Sequence, residues 1–138
     1  GDRYGMAKTW FQNKEEGYSH VLTFGVDGSG SLFAFWIYDD REPANAPVIF
    51  LGSEGEGNSV LADNLAEFFA ILATNSEWDE FEREYVKVNE EYQEDSEKFQ
   101  AWIREKFGIE PAADPNEIVR AARCRHPDLE GWIASVLG

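Results

Sequence analysis

Glu54 and Glu56 stand two residues apart in the glycine-rich turn Ser53–Asn58 (SEGEGN), and Asp63 follows a short way on. Side chains two apart in extended backbone share a face. Such a pair, joined by an aspartate, could hold a divalent ion or serve as acid and base in glycoside cleavage. The spacing is not that of a calcium loop, and carboxylates near a helix start are favoured by its dipole. The turn is therefore read as exposed and acidic, with no metal and no cofactor assigned. Nucleophilic catalysis has less to work with. His20 and His126 are the two histidines, and Ser53 and Ser59 lie in no nucleophile-elbow motif. His20 is read as a strand residue, and His126, directly before Pro127, as a local cap or surface group. Cys124 is the single cysteine, which excludes an intrachain disulfide and a thiolate cluster; it is read as a small buried hydrophobe. Gly25–Gly30 (GVDGSG) lacks the lysine of a phosphate loop and leads into an apolar strand, so it is read as a hairpin turn.

Charge is the stronger signal. The 138 residues carry a formal charge of -15. That field repels nucleic acid and anionic lipid and attracts a basic protein partner. Between Glu77 and Lys98 lie ten carboxylates and three basic side chains. The candidate interaction surface is Glu54, Glu56, Glu80, Glu84, Glu91, Glu94 and Asp95. Apolar residues at 43% and aromatics at 14% are too many for a disordered acidic tail. No apolar run approaches the 18 or so residues of a membrane span, and the lone cysteine suits a reducing, cytoplasmic setting. Gly1 in place of Met reads as a cloning remnant or a sign of trimming.

The elements that must position these groups divide into two halves. Strands are expected at Tyr4–Phe11, Ser19–Gly25, Leu32–Tyr38 and Val48–Leu51, joined by the polar turn Gln12–Gly17, the turn Asp27–Gly30 and the loop Asp39–Ala46. Leu61, Leu65, Phe68, Phe69 and Leu72 recur at helical spacing and predict a packing helix over 61–74. Phe81, Tyr85, Val88 and Tyr92 suggest a second helix from Trp78 or Asp79 to Glu94, with an acidic outer face. A third follows at Ser96–Phe107, either separate or continuous with the second, with Phe99, Trp102, Ile103 and Phe107 inward. Asp114-Pro115-Asn116-Glu117 is a helix start, with an aspartate cap and a proline at the first helical position. Ile118, Val119 and Ala122 give that helix its inward face to Arg125. A last helix carries Leu129, Trp132, Ile133, Val136 and Leu137. The expected fold is α+β in a single domain over 1–138: a small antiparallel or mixed twisted sheet in 1–52, a packing helix, and a helical extension over 78–138.

The order GVDGSGSLFAFWIYD, a loop with prolines, then PVIFLGSEGEGNSVLADNLAEFFAIL, resembles the C-terminal half of the SMI1/KNR4-like domain of the SUKH superfamily over Gly25–Leu72. That resemblance implies an α+β fold with no established catalytic residues. Many of its bacterial members are intracellular immunity proteins that bind and neutralise toxins, often nucleases; fungal relatives act as regulators and scaffolds. The family's usual N-terminal helix is not recognisable here, and the stretch from Trp78 onward falls outside the match. The function expected is non-enzymatic binding of a basic protein such as a polymorphic toxin. A regulatory or scaffold module is the alternative, and a small carboxylate-dependent hydrolase the third.

Overall fold

The computed structural model describes residues 5–88 and 93–138, with the side chain of Gln93 left aside. Two short helices, α1 (Gly5–Trp10) and α2 (Glu15–Tyr18), lead into strands β1 (Val21–Val26), β2 (Leu32–Trp36), β3 (Val48–Leu51) and β4 (Ser59–Ala62). These four pair in that order, every neighbour antiparallel. Helix α3 (Leu65–Leu72) follows, then a second, two-stranded sheet of β5 (Ser76–Asp79) and β6 (Glu84–Lys87), then α4 (Gln93–Phe107), α5 (Pro115–Arg125) and α6 (Leu129–Leu137). The class is α+β with a helical C-terminal half.

Both faces of the four-stranded sheet are covered, as the apolar runs in β2 and β3 require. Leu32, Ala34 and Trp36 alternate with Phe33 and Phe35 along β2. The first set joins Val21, Ile49, Leu51 and Val60 against Ala7, Phe11, Ala122, Leu129 and Ile133 from α1, the turn after it, α5 and α6. The second set joins Val48, Phe50, Leu61 and Ala62 against Phe68 and Ile71 of α3, Tyr85 of β6 and Val119 of α5. The register shifts between Val48 and Ile49, which pair with Ala62 and Val60 and leave Leu61 as the extra residue. That bulge puts Leu61 and Ala62 in the same cluster.

Several sequence expectations are corrected. The strand expected over Tyr4–Phe11 is not formed in its described part, 5–11: Ala7 and Phe11, four apart, are both fully buried, and Gly5–Trp10 is helical. Within the expected polar turn Gln12–Gly17, Gln12 and Asn13 take positive φ of 55° and 64°, and α2 then starts at Glu15. Gly17 lies so close to the Phe11 ring that a Cβ there would sit 2.6 Å from Cγ of Phe11. Leu61 belongs to β4, and the packing helix starts at Leu65, where Asn64 caps it by accepting from the Glu67 amide at 2.9 Å.

The largest departure is the expected acidic helix over 78–94. Residues 76–87 form the β5–β6 hairpin instead, with Trp78 directly opposite Tyr85 and their rings 5.2 Å apart. Residues 89–92, Glu91 and Tyr92 among them, lie outside the described set. The third helix and the Asp114 cap stand as expected. Asp114 accepts from the Asn116 amide at 2.9 Å, and α4 starts somewhat earlier, at Gln93. Of its expected inward residues, Ile103 is fully buried while Trp102 and Phe107 are 46% and 56% exposed.

Candidate protein-docking site

Three turns meet at one end of the molecule. The β1–β2 turn is organised by Asp27, whose Oδ1 accepts from the amides of Ser29 (2.9 Å) and Ser31 (3.0 Å) and from the Ser29 hydroxyl (2.7 Å). Burial raises its pKa, but the hydrogen bonds from Ser29, Ser31 and Gly30 together outweigh that and hold it below the usual 3.8. Ser31 Oγ in turn accepts from the Ser53 amide at 2.9 Å, tying this turn to the β3–β4 loop. Within that loop, Asn58 closes the chain on itself. Its Oδ1 accepts from the Gly52 amide (2.9 Å), and its amide nitrogen donates to Gly55 O (3.0 Å). Gly52 O also accepts from the Trp10 indole at 2.7 Å, so α1 braces the loop from behind.

The third turn is the tip of the β5–β6 hairpin. Asp79 Oδ1 accepts from the amides of Phe81 (2.9 Å) and Glu82 (3.1 Å), and Arg83 closes the turn at φ 57°. The tip rests on Gly57, which has φ 75° and lies against the Cβ and backbone of Glu80, where a side chain at 57 would collide. The Trp78 indole donates to Gly57 O at 3.2 Å. On the far side Arg83 reaches Asn58 O at 3.0 Å, and the Arg123 guanidinium bridges Ser59 Oγ (2.8 Å) and Arg83 O (3.3 Å). Burial first, and the neighbouring Arg83 second, lower the pKa of Arg123.

This docking of tip on loop brings Glu54, Glu56 and Glu80 around one hollow of about 330 Å³, shared with Ser29, Ser53 and Phe81. Phe81 is 78% exposed. Asp79, Glu80 and Phe81 also line an adjoining hollow of about 340 Å³ with Asp27 and Glu77. An exposed aromatic ring ringed by carboxylates is an arrangement suited to protein contact. The other sequence candidates are distributed differently. Glu84 is exposed on β6, just past the tip. Glu94 and Asp95 lie in the first turn of α4, where Glu94 is 3.6 Å from Lys98. That helix begins beside the open end of the hairpin, where Ser96 and Glu97 share a hollow with Ser76 and Lys87.

Asp63 does not join Glu54 and Glu56. Its carboxylate binds His126 Nε2 at 2.6 Å and Arg125 at 3.3 Å, and the other ring nitrogen of His126 is 2.7 Å from the Tyr38 hydroxyl. Hydroxyl, imidazole and carboxylate in series have the connectivity of a catalytic relay. None of the hollows described here includes any of the three in its lining. The His126 side chain, 3% exposed, bolts the α5–α6 junction to the chain just after β2, at Tyr38, and just after β4, at Asp63. His126 follows α5 as its C-terminal cap, its amide donating to Ala122 O, which is the local-cap alternative; the surface alternative is corrected because the side chain is buried, and Cys124, expected to be buried, is exposed. His20 precedes β1 and is exposed, with Nδ1 3.0 Å from Ile37 O. Among the described residues no group of three or more His, Cys, Asp or Glu is arranged to hold a metal. An open hollow of about 650 Å³ between α1, α6 and the β3–β4 loop is lined by Met6, Trp10, Leu32, Ile133 and Leu137 and by no titratable side chain.

Phe81 is the exposed ring that sequence reasoning misplaced, because it continued an apparent helical stripe. The available signal was period two: Trp78 and Tyr85 sit in short runs flanked by charged residues on either side of a polar turn. The Tyr38–His126–Asp63 chain had no local signal. Among the described residues no helix is long and apolar enough to cross a membrane. Compared with protein-family models, curated proteins and solved structures, the chain matches none.

Proposed function

We propose that this protein is a non-enzymatic binding module that receives a basic protein on the hairpin-tip surface and occludes it. The observation that carries the reading is the convergence of Glu54, Glu56 and Glu80, from two separate loops, around the exposed ring of Phe81. The carboxylates steer a cationic surface in, and the ring supplies a desolvated anchor. The SMI1/KNR4-like resemblance supports a toxin as the partner, with a nuclease as a basic target, and a cytoplasmic setting for the complex. A toxin whose active site is cationic to hold phosphates would be blocked sterically and electrostatically by this face.

The test is co-expression with the product of the adjacent gene, followed by co-purification and an activity assay of that product. A stoichiometric complex, inhibition, and loss of both in Phe81→Ser and in the triple reversal of Glu54, Glu56 and Glu80 to Lys are expected. Absence of any complex sinks the immunity reading. A complex that survives both variants sinks the site. The regulatory or scaffold reading is distinguished by a partner that is not a toxin and by weak salt dependence.

A further inference from the structure

Helix α4 carries an aromatic flank that Phe69 of α3 covers only in part, leaving Trp102 and Phe107 46% and 56% exposed. Among its described residues only Ile103 is buried, and its polar tie to the body includes Gln100 donating to Ala73 O at 2.5 Å. Asp95, Phe99, Trp102 and Lys106 recur at intervals of four, three and four, which lines them along one side of the helix. Phe99 meets Phe69 of α3 at 6.3 Å, and Trp102 lies 6.0 Å from Phe99 and 5.4 Å from Phe107. Leu72 of α3 is also open to solvent, 44% exposed. Contiguous apolar surface of this kind costs about 25 cal/mol per Å² to leave in water and marks association surfaces.

The stripe is complementary to itself. Read backwards, Lys106, Trp102, Phe99 and Asp95 have the same four-three-four spacing. A second α4 laid antiparallel, with a two-fold axis passing between Gln100 and Ala101, sets Asp95 against Lys106 and Phe99 against Trp102, twice over. The whole helix follows the same polarity, with Glu94 and Asp95 in the first turn and Arg104 and Lys106 in the last. Antiparallel helices also oppose their dipoles favourably. Neither Asp95 nor Lys106 has an ion pair within the chain among the described residues.

We infer that the protein self-associates as a two-fold dimer through antiparallel α4 helices, with a Phe99–Trp102 seam closed at each end by an Asp95–Lys106 pair. The interface is isologous, and it leaves the hairpin tip on each copy free. The net charge of -15 on each chain opposes the encounter, so the dimer is weak, in about the micromolar range.

Sedimentation velocity over a concentration series tests this with the whole chain. The unaltered protein should pass from monomer to dimer. Asp95→Lys or Lys106→Glu alone should weaken association by about tenfold, because two exposed ion pairs become two repulsions. The double exchange Asp95→Lys with Lys106→Glu should restore it. Trp102→Ser, at an exposed position, should abolish it with an unchanged far-ultraviolet circular dichroism spectrum. A protein that stays monomeric throughout overturns the inference, as does a dimer indifferent to all four variants. Single reversals that the double exchange fails to rescue overturn the antiparallel register.

Discussion

At His126 both ring nitrogens are engaged inside the protein, by Tyr38 at 2.7 Å and Asp63 at 2.6 Å. Truncation would remove the partner of the part-buried Tyr38 hydroxyl and of Asp63 Oδ1, while Arg125 still holds Asp63 Oδ2, and leaving such groups unpaired costs about 1–3 kcal/mol when they are buried. His126→Ala should therefore lower unfolding free energy by about 2 kcal/mol, read from urea midpoints at constant slope. An effect within error would mean the chain of bonds contributes nothing. Asp27 gives a prediction of pH dependence. Its folded pKa lies below the ordinary 3.8, so its ionised form contributes stability that is present above 3.8 and lost as pH falls through the folded value. Asp27→Asn should flatten the acid limb of stability against pH, and NMR titration of the Asp27 carboxyl should end below that of an unstructured aspartate. Asp27 was legible beforehand as part of a turn, because Asp-Gly-Ser-Gly is local chemistry. Asp63 was not, because its partners come from more than 60 residues away.

At the scale of the element, the β5–β6 hairpin decides where the acidic face lies. In a helix, Glu80 and Glu84 would be like-charged neighbours at a cost of about 0.2–0.5 kcal/mol. The larger effect is burial, since covering an aromatic side chain is worth about 1.5–3 kcal/mol. Tyr85 is 7% exposed and meets Trp78 edge to face, and the Trp78 ring lies 6.2 Å from Phe50 of β3. Burial drives the Tyr85 pKa upward, as desolvation does to any ionisable phenol. Asn116 then acts as a substitute strand. Its side chain accepts from the Tyr85 amide at 2.7 Å and donates to Tyr85 O at 3.0 Å. Asn116→Ala should cost about 1–2 kcal/mol and should speed hydrogen exchange at the Tyr85 amide specifically, with the Asp114 cap of α5 intact. Exchange as slow as in the parent protein would rule out the clamp. Gly57→Ala should be worse than its size suggests. It places a Cβ at φ 75° against Glu80, and should cost about 1–3 kcal/mol while loosening the tip.

For the whole molecule, the charge of -15 makes a prediction about rate. Association with a basic partner should slow by about tenfold or more as salt rises from about 0.05 to about 0.5 M, with dissociation changing far less. Stopped-flow mixing would measure it; a salt-independent association rate removes electrostatic steering from the proposal. Reversing Glu94, at the other end of the hairpin, should slow association much less than reversing Glu54, Glu56 and Glu80 together. By itself the sequence determined the sign of the field, the α+β class, β3, the β1–β2 turn and the capped start of α5. Each of these depends on composition or on neighbours within a few residues. It could not decide between helix and hairpin for 76–87, because apolar spacing there fits either period and the arbiters, Phe50 and Asn116, are distant in the chain. Which carboxylates stand together was settled by tertiary structure alone. Glu80 meets Glu54 and Glu56 only because the hairpin tip has Gly57 to rest on, and a contact across more than 20 residues leaves no trace in local pattern.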